Sequence, residues 1–224
     1  MSKDLSPLKV SIQIMAKAPV AGLAKTRLIP ALGAEGAARL AKKMLGKILQ
    51  DSVALITDVQ ESYLFSVNLW MTPSPDSPSW LSVNIPTGIN LHSQRGDDLG
   101  ERMSYAAAQG LTNADAIILV GSDCPEINAT VLHQAAMALY DYDACLIPSA
   151  DGGYALLGLR RHEPRLFADI PWSTNKVAEL TRQRLLECGM TFSEFYFVHD
   201  IDEAEDLIHL PSEWPESKFG NTAV

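Results

Sequence analysis

The sequence predicts an α/β protein, a three-layer α/β/α sandwich around a mostly parallel mixed sheet, and three observations lead to it. Residues 116–120 form a continuous apolar run that ends at Gly121-Ser122-Asp123, which is typical of a central parallel strand buried on both faces. Apolar strand-like runs alternate with stretches of helical spacing, which favours parallel strands joined by helices. Asp151-Gly152 separates two further apolar runs, which indicates an antiparallel connection.

The size and composition of the chain fit one globular domain. The chain has 224 residues, of which 47% are hydrophobic, so it can bury a sizeable core. We expect a single domain over residues 1–210. Residues 211–224 are expected to form a loose C-terminal tail.

The charge balance argues against nucleic acid as a partner, because 27 acidic against 18 basic side chains give a net charge of -9. No apolar run approaches the ~20 residues that span a bilayer, and the N-terminus lacks a signal-peptide core. We therefore expect a cytoplasmic protein with no membrane partner. The three cysteines include no Cys-x-x-Cys pair, which predicts neither a disulfide framework nor a thiolate zinc site.

The first half of the chain is predicted to begin strand, loop, helix. Residues 10–16 are an apolar strand, and from Gly33 to about Ile56 apolar residues recur at helical spacing. Residues 61–70 are a second strand, and residues 83–86 are expected to form a short third one. A helix then begins at Asp97 or Asp98 and ends near Gly110.

The loop between the first strand and the first helix resembles a P-loop without being one. Lys25-Thr26 stands in the right place, but Pro19 and Ala24 occupy positions where G-x-x-x-x-G-K-[ST] requires glycine. What remains is Lys17, Lys25 and Arg27 in one loop, with Gly22 allowing close backbone approach. This arrangement indicates a clamp for a diphosphate, and the alternative is a solvated basic loop.

The second half continues with a helix capped by Asn128, a strand over residues 144–148 and an apolar strand after Asp151-Gly152. A helix over residues 176–188 follows, with Ser173 or Thr174 as its N-cap. The last strand is predicted at residues 195–198. A short helix after it has Asp202 and Glu205 at capping-box spacing.

Acidic residues follow two of these strands and suggest a cation site. Asp123 ends the central strand, where ligands bind in open α/β sheets, and Asp200 and Asp202 follow the last strand. Carboxylate oxygens at strand ends are what a divalent cation needs. The alternative is that these aspartates only cap helices or form turns.

Several residues between the two acidic segments have both a binding and a structural interpretation. Gly153-Tyr154 leaves room for a ligand beside the backbone, although Asp-Gly is also an ordinary hairpin turn. Trp172 stacks on a base or sugar, or belongs to the core. The hydroxyls of Ser173 and Thr174 hold an anionic group at a helix N-terminus, or act only as caps.

Five motifs in a fixed order carry a family resemblance over roughly residues 10–210: residues 15–28 (MAKAPVAGLAKTRL), 121–125 (GSDCP), 150–154 (ADGGY), 170–174 (IPWST) and 200–207 (DIDEAEDL). Together they resemble a bacterial glycosyltransferase-like family, DUF2064-like, that has the GT-A or nucleotide-diphospho-sugar transferase fold. Its members include arsenosugar-biosynthesis-type glycosyltransferases. The family is similar to phospholactate and molybdenum-cofactor guanylyltransferases.

The resemblance implies a role for each motif. Lys17, Lys25 and Arg27 would hold the nucleotide phosphates, with Ser122 beside them and with Pro19 and Gly22 shaping the loop. Asp123, Asp202 and Asp200 would hold Mg²⁺ or Mn²⁺, although Gly121-Ser122-Asp123 lacks the first carboxylate of an Asp-x-Asp motif. The acceptor side would be formed by the remaining motif residues, namely Gly152, Gly153, Tyr154, Trp172, Ser173 and Thr174.

The resulting hypothesis is an enzyme that moves a sugar from a nucleotide-diphospho-sugar to a small acceptor. Such chemistry wants a carboxylate near the acceptor hydroxyl, for which Asp151 is the first candidate and Asp169 the second. One alternative is a nucleotidyltransferase that joins a nucleoside triphosphate to a small phosphorylated acid. Another is a non-catalytic nucleotide-binding regulatory protein.

Overall fold

The computed structural model describes residues 7–57 and 62–222, with side chains described as far as residue 219. Within these ranges the strands form one sheet: β1 (Leu8–Lys17), β2 (Tyr63–Thr72), β3 (Ile89–Ser93), β4 (Ala116–Gly121), β5 (Ala144–Pro148), β6 (Tyr154–Leu159) and β7 (Phe192–Glu194). Their order across the sheet is β3-β2-β1-β4-β6-β5-β7. Strand β6 runs antiparallel to β4 and β5, and the other pairs are parallel. The predicted mixed sheet is confirmed.

The α-helices of the described chain are α1 (Ile29–Thr57), α2 (Leu99–Gly110), α3 (Ala129–Asp141) and α4 (Val177–Glu187). Helix α1 is interrupted at Gly33 (φ 70°, ψ 164°), so its regular part starts where the sequence predicts it. Asp98 and Asn128 cap α2 and α3 by accepting hydrogen bonds from Glu101 and Val131. None of the described helices is both long and apolar enough to cross a membrane.

Helices cover both faces of the sheet and create two cores. On one face α1 and α3 pack against alternate residues of the strands, among them Ile12, Ile14 and Ile118. On the other face α2 and α4 pack against the residues in between, such as Ile117 and Leu119. Strand β4 is therefore apolar on both faces, as a central parallel strand should be.

Two predicted strands are placed differently. The short strand predicted at residues 83–86 is wrong: β3 starts at Ile89, because Pro86 has no amide hydrogen for a ladder and Val83 and Ile85 pack against the core from a loop. The last regular strand is β7, not residues 195–198. The latter still follow β5 through Val198, which donates to Pro148, but Tyr196 and Phe197 are 59% and 60% exposed.

The structure also differs from the prediction at two helix caps and in the C-terminal segment. Helix α4 has Lys176 at its N-cap, because the Thr174 hydroxyl donates to Pro171 in the preceding turn. The capping box lies one residue later than predicted, with Asp206 accepting from the backbone of Glu203. Residues 211–219 are not loose, since Trp214 is 9% exposed in a third apolar cluster and a 3-10 helix spans Pro215–Thr222.

Candidate active site

The candidate site is a cleft of about 360 Å³ at the carboxyl ends of β1, β4 and β5. Each wall comes from a loop that leaves a strand: Lys25 after β1, Asp123 after β4 and Asp151 after β5. Asp200 and Asp202 come from the segment that follows Val198. Because all these strands are parallel to one another, their carboxyl ends meet at the same edge of the sheet.

The backbone of the first loop turns Lys25 into the cleft. Ala24 and Leu28 are buried on either side, and Lys25 itself has left-handed backbone angles (φ 47°, ψ 50°). Its side chain is only 8% exposed, and its Nζ lies 2.9 Å from Asp123 Oδ2 and 3.5 Å from Asp202 Oδ1. One ammonium thus joins two carboxylates from distant parts of the chain.

The charge of Lys25 is stabilised by these neighbours. Burial by itself would lower the pKa of Lys25, but the charge and hydrogen bond of Asp123, with the charges of Asp202 and Asp200, raise it above its usual value. Lys25 is therefore a cation at neutral pH.

The other predicted phosphate-binding residues lie at different distances from the cleft. Arg27 is 66% exposed at its mouth, with Nη1 2.8 Å from Asp202 and 3.5 Å from Glu203. Lys17 is exposed at the end of β1 and is not among the residues lining the cleft. Pro19 is buried and Gly22 has φ +78°, so both shape the loop.

Hydrogen bonds join the two acidic segments to each other. Ile201 N donates to Asp123 O over 3.0 Å, Cys124 Sγ donates to His199 O, and His199 N donates to Glu126. The hydroxyl of Ser122 donates to Asp123. The relative position of the carboxylates is thus built into the fold.

A second pair of carboxylates, Asp151 and Asp200, faces the interior of the cleft. Asp151 accepts hydrogen bonds from the Ser149 hydroxyl and from the backbone N–H of Gly153. Burial, and after it the negative charge of Asp151, raise the pKa of Asp200. A half-buried acid with an elevated pKa beside another acid is a typical arrangement of proton-transfer sites.

The residues predicted for the acceptor side, with the exception of Gly152, form a wall of the cleft. Gly153, Tyr154, Trp172, Ser173 and Thr174 line the cleft, and the rings of Tyr154 and Trp172 meet edge to face at 6.4 Å.

The turn below that wall depends on Gly152. It has φ +89°, and a Cβ there would lie 2.3 Å from the carbonyl oxygen of Asn175. The turn after β5 therefore packs directly on the start of α4.

Asp169, the second candidate base, is exposed with φ 55° and lies outside the residues that line the cleft. Sequence reasoning missed Ser149 and the apolar lining from Met15, Leu99 and Met103. Leu99 and Met103 are four positions apart and therefore lie on one face of α2. This spacing predicts a shared face, but not that the face lines the cleft, which depends on the strands against which α2 packs.

The carboxylates have the oxygen donors that hard divalent cations prefer. In the described part of the chain, however, no three His, Cys, Asp or Glu side chains lie close enough together to hold a metal ion by themselves. The Lys25 ammonium instead lies between Asp123 and Asp202. The donor chemistry fits Mg²⁺ or Mn²⁺ as a cation shared with substrate oxygens.

Comparison with known proteins identifies the family. A family model described as "Uncharacterized protein conserved in bacteria (DUF2064)" matches residues 55–174, more than half of the chain. The chain belongs to the DUF2064 family. No protein of curated function matches the DUF2064 chain in sequence.

Solved structures share the fold of this DUF2064 chain. A candidate nucleotide-diphospho-sugar transferase from Desulfovibrio desulfuricans G20 is 25% identical with a TM-score of 0.80, over 94% of this chain and 93% of the other. A cytidylyltransferase from Leptospira borgpetersenii serovar Hardjo-bovis is 17% identical with a TM-score of 0.56, over 95% and 92%. The predicted nucleotide-diphospho-sugar transferase fold is confirmed. Both neighbours are named as transferases, which agrees with the prediction of an enzyme of that class.

Proposed function

We propose that the protein transfers a sugar from a nucleotide-diphospho-sugar to a small acceptor in this cleft. The observation that carries the proposal is the convergence of Lys25 and Arg27 with Asp123 and Asp202 at the carboxyl ends of β1 and β4. Cations and acids that meet at one end of a cleft suit a substrate whose phosphates bind both directly and through a cation. The similarity to the Desulfovibrio transferase supports the choice of donor.

Lys25 and Arg27 are the groups that would bind the diphosphate. Both now donate to carboxylates, and a diphosphate offers the same anionic oxygens with a higher charge density. Lys25 is the inner contact because it is buried, whereas Arg27 closes the site from its mouth. Ser122, which lines the cleft, and the backbone of the loop at Gly22 would complete the phosphate site.

Asp123 and Asp202, with Asp200 nearby, are the residues that would hold Mg²⁺ or Mn²⁺ together with phosphate oxygens. When bound, such an ion neutralises the charge that develops on the departing diphosphate. The carboxylates of the chain would hold that ion in place. The Lys25 ammonium, which lies between Asp123 and Asp202, would bind oxygens of the same diphosphate.

Asp151 is the proposed acceptor of the proton from the acceptor hydroxyl. Its carboxylate is oriented by Ser149 and by the backbone of Gly153, and it lies on the cleft side that carries Tyr154 and Trp172. Asp151 also acts on Asp200 through its charge, which together with burial raises the pKa of Asp200. Asp169 is a poorer candidate because it lies outside the cleft lining.

A nucleotidyltransferase is the second candidate, supported by the fold shared with the Leptospira cytidylyltransferase. The two reactions release different products. Purified protein is incubated with Mn²⁺, a small-molecule extract as acceptor and either nucleotide-diphospho-sugars or nucleoside triphosphates. Release of a nucleoside diphosphate supports glycosyl transfer, whereas release of pyrophosphate overturns it in favour of nucleotidyl transfer.

Two variants make this experiment specific to the cleft. Asp123→Asn removes the central carboxylate and should abolish turnover, and Asp141→Asn changes an exposed aspartate at the end of α3 and should not. A purely regulatory nucleotide-binding protein predicts binding that survives Asp123→Asn and no turnover with any donor.

A further inference from the structure

A second groove lies on the sheet face that carries α2, between that helix and the edge strand β3. Its volume is about 560 Å³, within the range of roughly 300–1,000 Å³ that small-molecule sites occupy. Among the described residues, none lines both this groove and the cleft of the candidate active site. Its floor is formed by polar side chains of three parallel strands, namely Ser11, Gln13, Ser66, Asn68, Asn90 and His92.

This floor is unusual for a parallel sheet. On the opposite face the same strands present Val10, Ile12 and Val67 to the core, each with no exposed surface. The groove face replaces this pattern with amides and hydroxyls, although Gln13 is 0% and Ser11 4% exposed. Helix α2 packs against β1 and β4, which leaves the face of β2 and β3 beside it as the groove.

The polar side chains are held in place by one another. Ser11 Oγ lies within 2.8–2.9 Å of donor atoms of Gln13, Ser66 and Asn68. Trp70 Nε1 donates to Gln13 Oε1 over 2.6 Å. A hydroxyl has two lone pairs and one hydrogen, so Ser11 is satisfied by accepting from Gln13 and Asn68 and by sharing one hydrogen bond with Ser66. The exposed Ser66 hydroxyl keeps hydrogen-bonding capacity for a ligand.

The rim adds aromatic surface and almost no charge. The Trp70 ring stacks on His92 at 4.6 Å and meets Tyr105 edge to face, and Arg95 lies 5.4 Å from the Tyr105 ring centroid. Burial lowers the pKa of His92, so its imidazole is neutral at pH 7. In a chain of net charge -9, the described residues that line this groove include no carboxylate and only Arg95 as a full cation.

We propose that this groove binds a neutral saccharide of one or two rings. Sugar hydroxyls both donate and accept, and fixed amides such as Asn68 and Asn90 match them in both senses. The faces of His92 and Tyr105 suit the apolar side of a sugar ring. The inference is independent of the chemistry proposed for the cleft, because it rests on different residues.

The test is saturation-transfer-difference NMR on the whole protein, with maltose, cellobiose, lactose and trehalose as probes at millimolar concentration. The proposal expects a signal from at least one of these sugars. Asn90→Trp, on the exposed edge strand, should fill the groove and weaken that binding at least tenfold. Asn84→Trp is the matched control, since Asn84 is exposed in a loop outside the groove, and it should bind as the wild type does.

Ser66→Leu fills the groove from its floor and guards against a folding defect of the first variant, with circular dichroism checking both. No signal from any of the four sugars overturns the proposal. A signal that survives both blocking variants but is lost in Asp123→Asn places the sugar in the cleft and also overturns it. Binding of glucose 6-phosphate with no binding of neutral sugars would show an anion site at Arg95 instead.

Discussion

Lys25 combines left-handed backbone angles with a side chain that is 8% exposed and bonded to two acids. A buried ammonium is stable only when carboxylates compensate its desolvation, and Asp123 does so at 2.9 Å. The same compensation is what a phosphate would provide. Lys25 is thus the residue at which the fold and the proposed chemistry depend on each other most directly.

Replacing Lys25 by Met keeps most of its volume and removes its charge. We expect kcat/KM to fall on the order of 100-fold or more, because a preorganised cation at the developing charge is lost. The free energy of unfolding should fall by about 1 kcal/mol. This is less than for a fully buried pair, because the Asp123 side chain is 53% exposed.

The stability loss should depend on pH in one direction. The folded-state pKa of Lys25 is raised above 10.5, so its contribution is complete below that pH and is lost as pH rises through the raised value. Urea unfolding at pH 7, 9 and above 10.5 measures this. Lys42→Met, at an exposed lysine of α1, is the control, and an equal loss in both variants would contradict the interpretation.

The cysteines should differ in reactivity. Burial raises the pKa of Cys124 and of Cys145 to about 12, whereas Cys188 is partly exposed after α4. Iodoacetamide at pH 8 should therefore modify Cys188 first, because the thiolate is the reactive form. Peptide mass mapping over time checks this. Rapid labelling of Cys124 in the folded protein would show that the cleft opens further than the structure indicates.

At this scale the sequence indicated Lys25, Arg27, Asp123 and Asp202 because each lies in a loop that follows or precedes a recognisable strand. It could not indicate which acid pairs with which base. Nor could it place Asp200 against Asp151, since their interaction depends on two loops 49 positions apart in the chain.

Among the elements, the turn between β5 and β6 is the most constrained. Gly152 has φ +89° and no room for a side chain, since a Cβ would lie 2.3 Å from the backbone oxygen of Asn175. The turn carries Asp151 on one side and supports α4 on the other, where Ala178 N donates to Gly152 O. A shift here would move the candidate base.

Gly152→Ala should lower the free energy of unfolding by about 3 kcal/mol, because the left-handed strain is added to a clash with backbone. Gly22→Ala is the matched control: Gly22 has φ +78° but open space around it, so the cost should be about 1 kcal/mol. Urea unfolding of both variants gives the comparison. Equal losses would mean that φ alone, and not the contact with Asn175, constrains the turn.

Elements with strong periodicity were predicted well, and short ones were not. The apolar run of β4 and the helical spacing of α1 and α3 are local signals. Strands β3 and β7 have five and three residues, and their position is decided by pairing with β2 and β5. Pairing is a tertiary property. In the sequence alone, residues 83–86 and 195–198 therefore resemble strands as closely as β3 and β7 do.

On the scale of the whole molecule, the C-terminal segment around Trp214 packs against the two loops that carry the charged residues of the cleft. Trp214 packs in a cluster with Leu28, which follows Arg27, and with Ile201, which lies between Asp200 and Asp202. The Lys43 ammonium lies 4.1 Å from the centroid of the Trp214 ring. The segment expected to be a loose tail thus stabilises both the loop that carries Arg27 and the loop that carries Asp200 and Asp202.

Trp214→Ala should lower the free energy of unfolding by about 3 kcal/mol, because a large buried ring leaves a cavity. It should also weaken nucleotide binding, since the loops anchored by Leu28 and Ile201 lose their support. Far-ultraviolet circular dichroism in urea measures the first effect, and thermal shift with UDP, GDP and CDP plus Mn²⁺ the second. Leu81→Ala, at a side chain that is 87% exposed, should change neither. Unaltered stability in Trp214→Ala would show that the tail only rests on the surface.

The sequence by itself determined the alternation of strands and helices, the mixed sheet and the charged loops at the strand ends. These follow from local periodicity and turn chemistry, which depend on neighbours a few positions away. The tertiary structure decided that Lys25 joins Asp123 to Asp202, that Trp214 supports them and that polar residues of β1, β2 and β3 meet in a second groove. These contacts depend on the order and register of the strands, which bring together residues far apart in the chain and which no local pattern encodes.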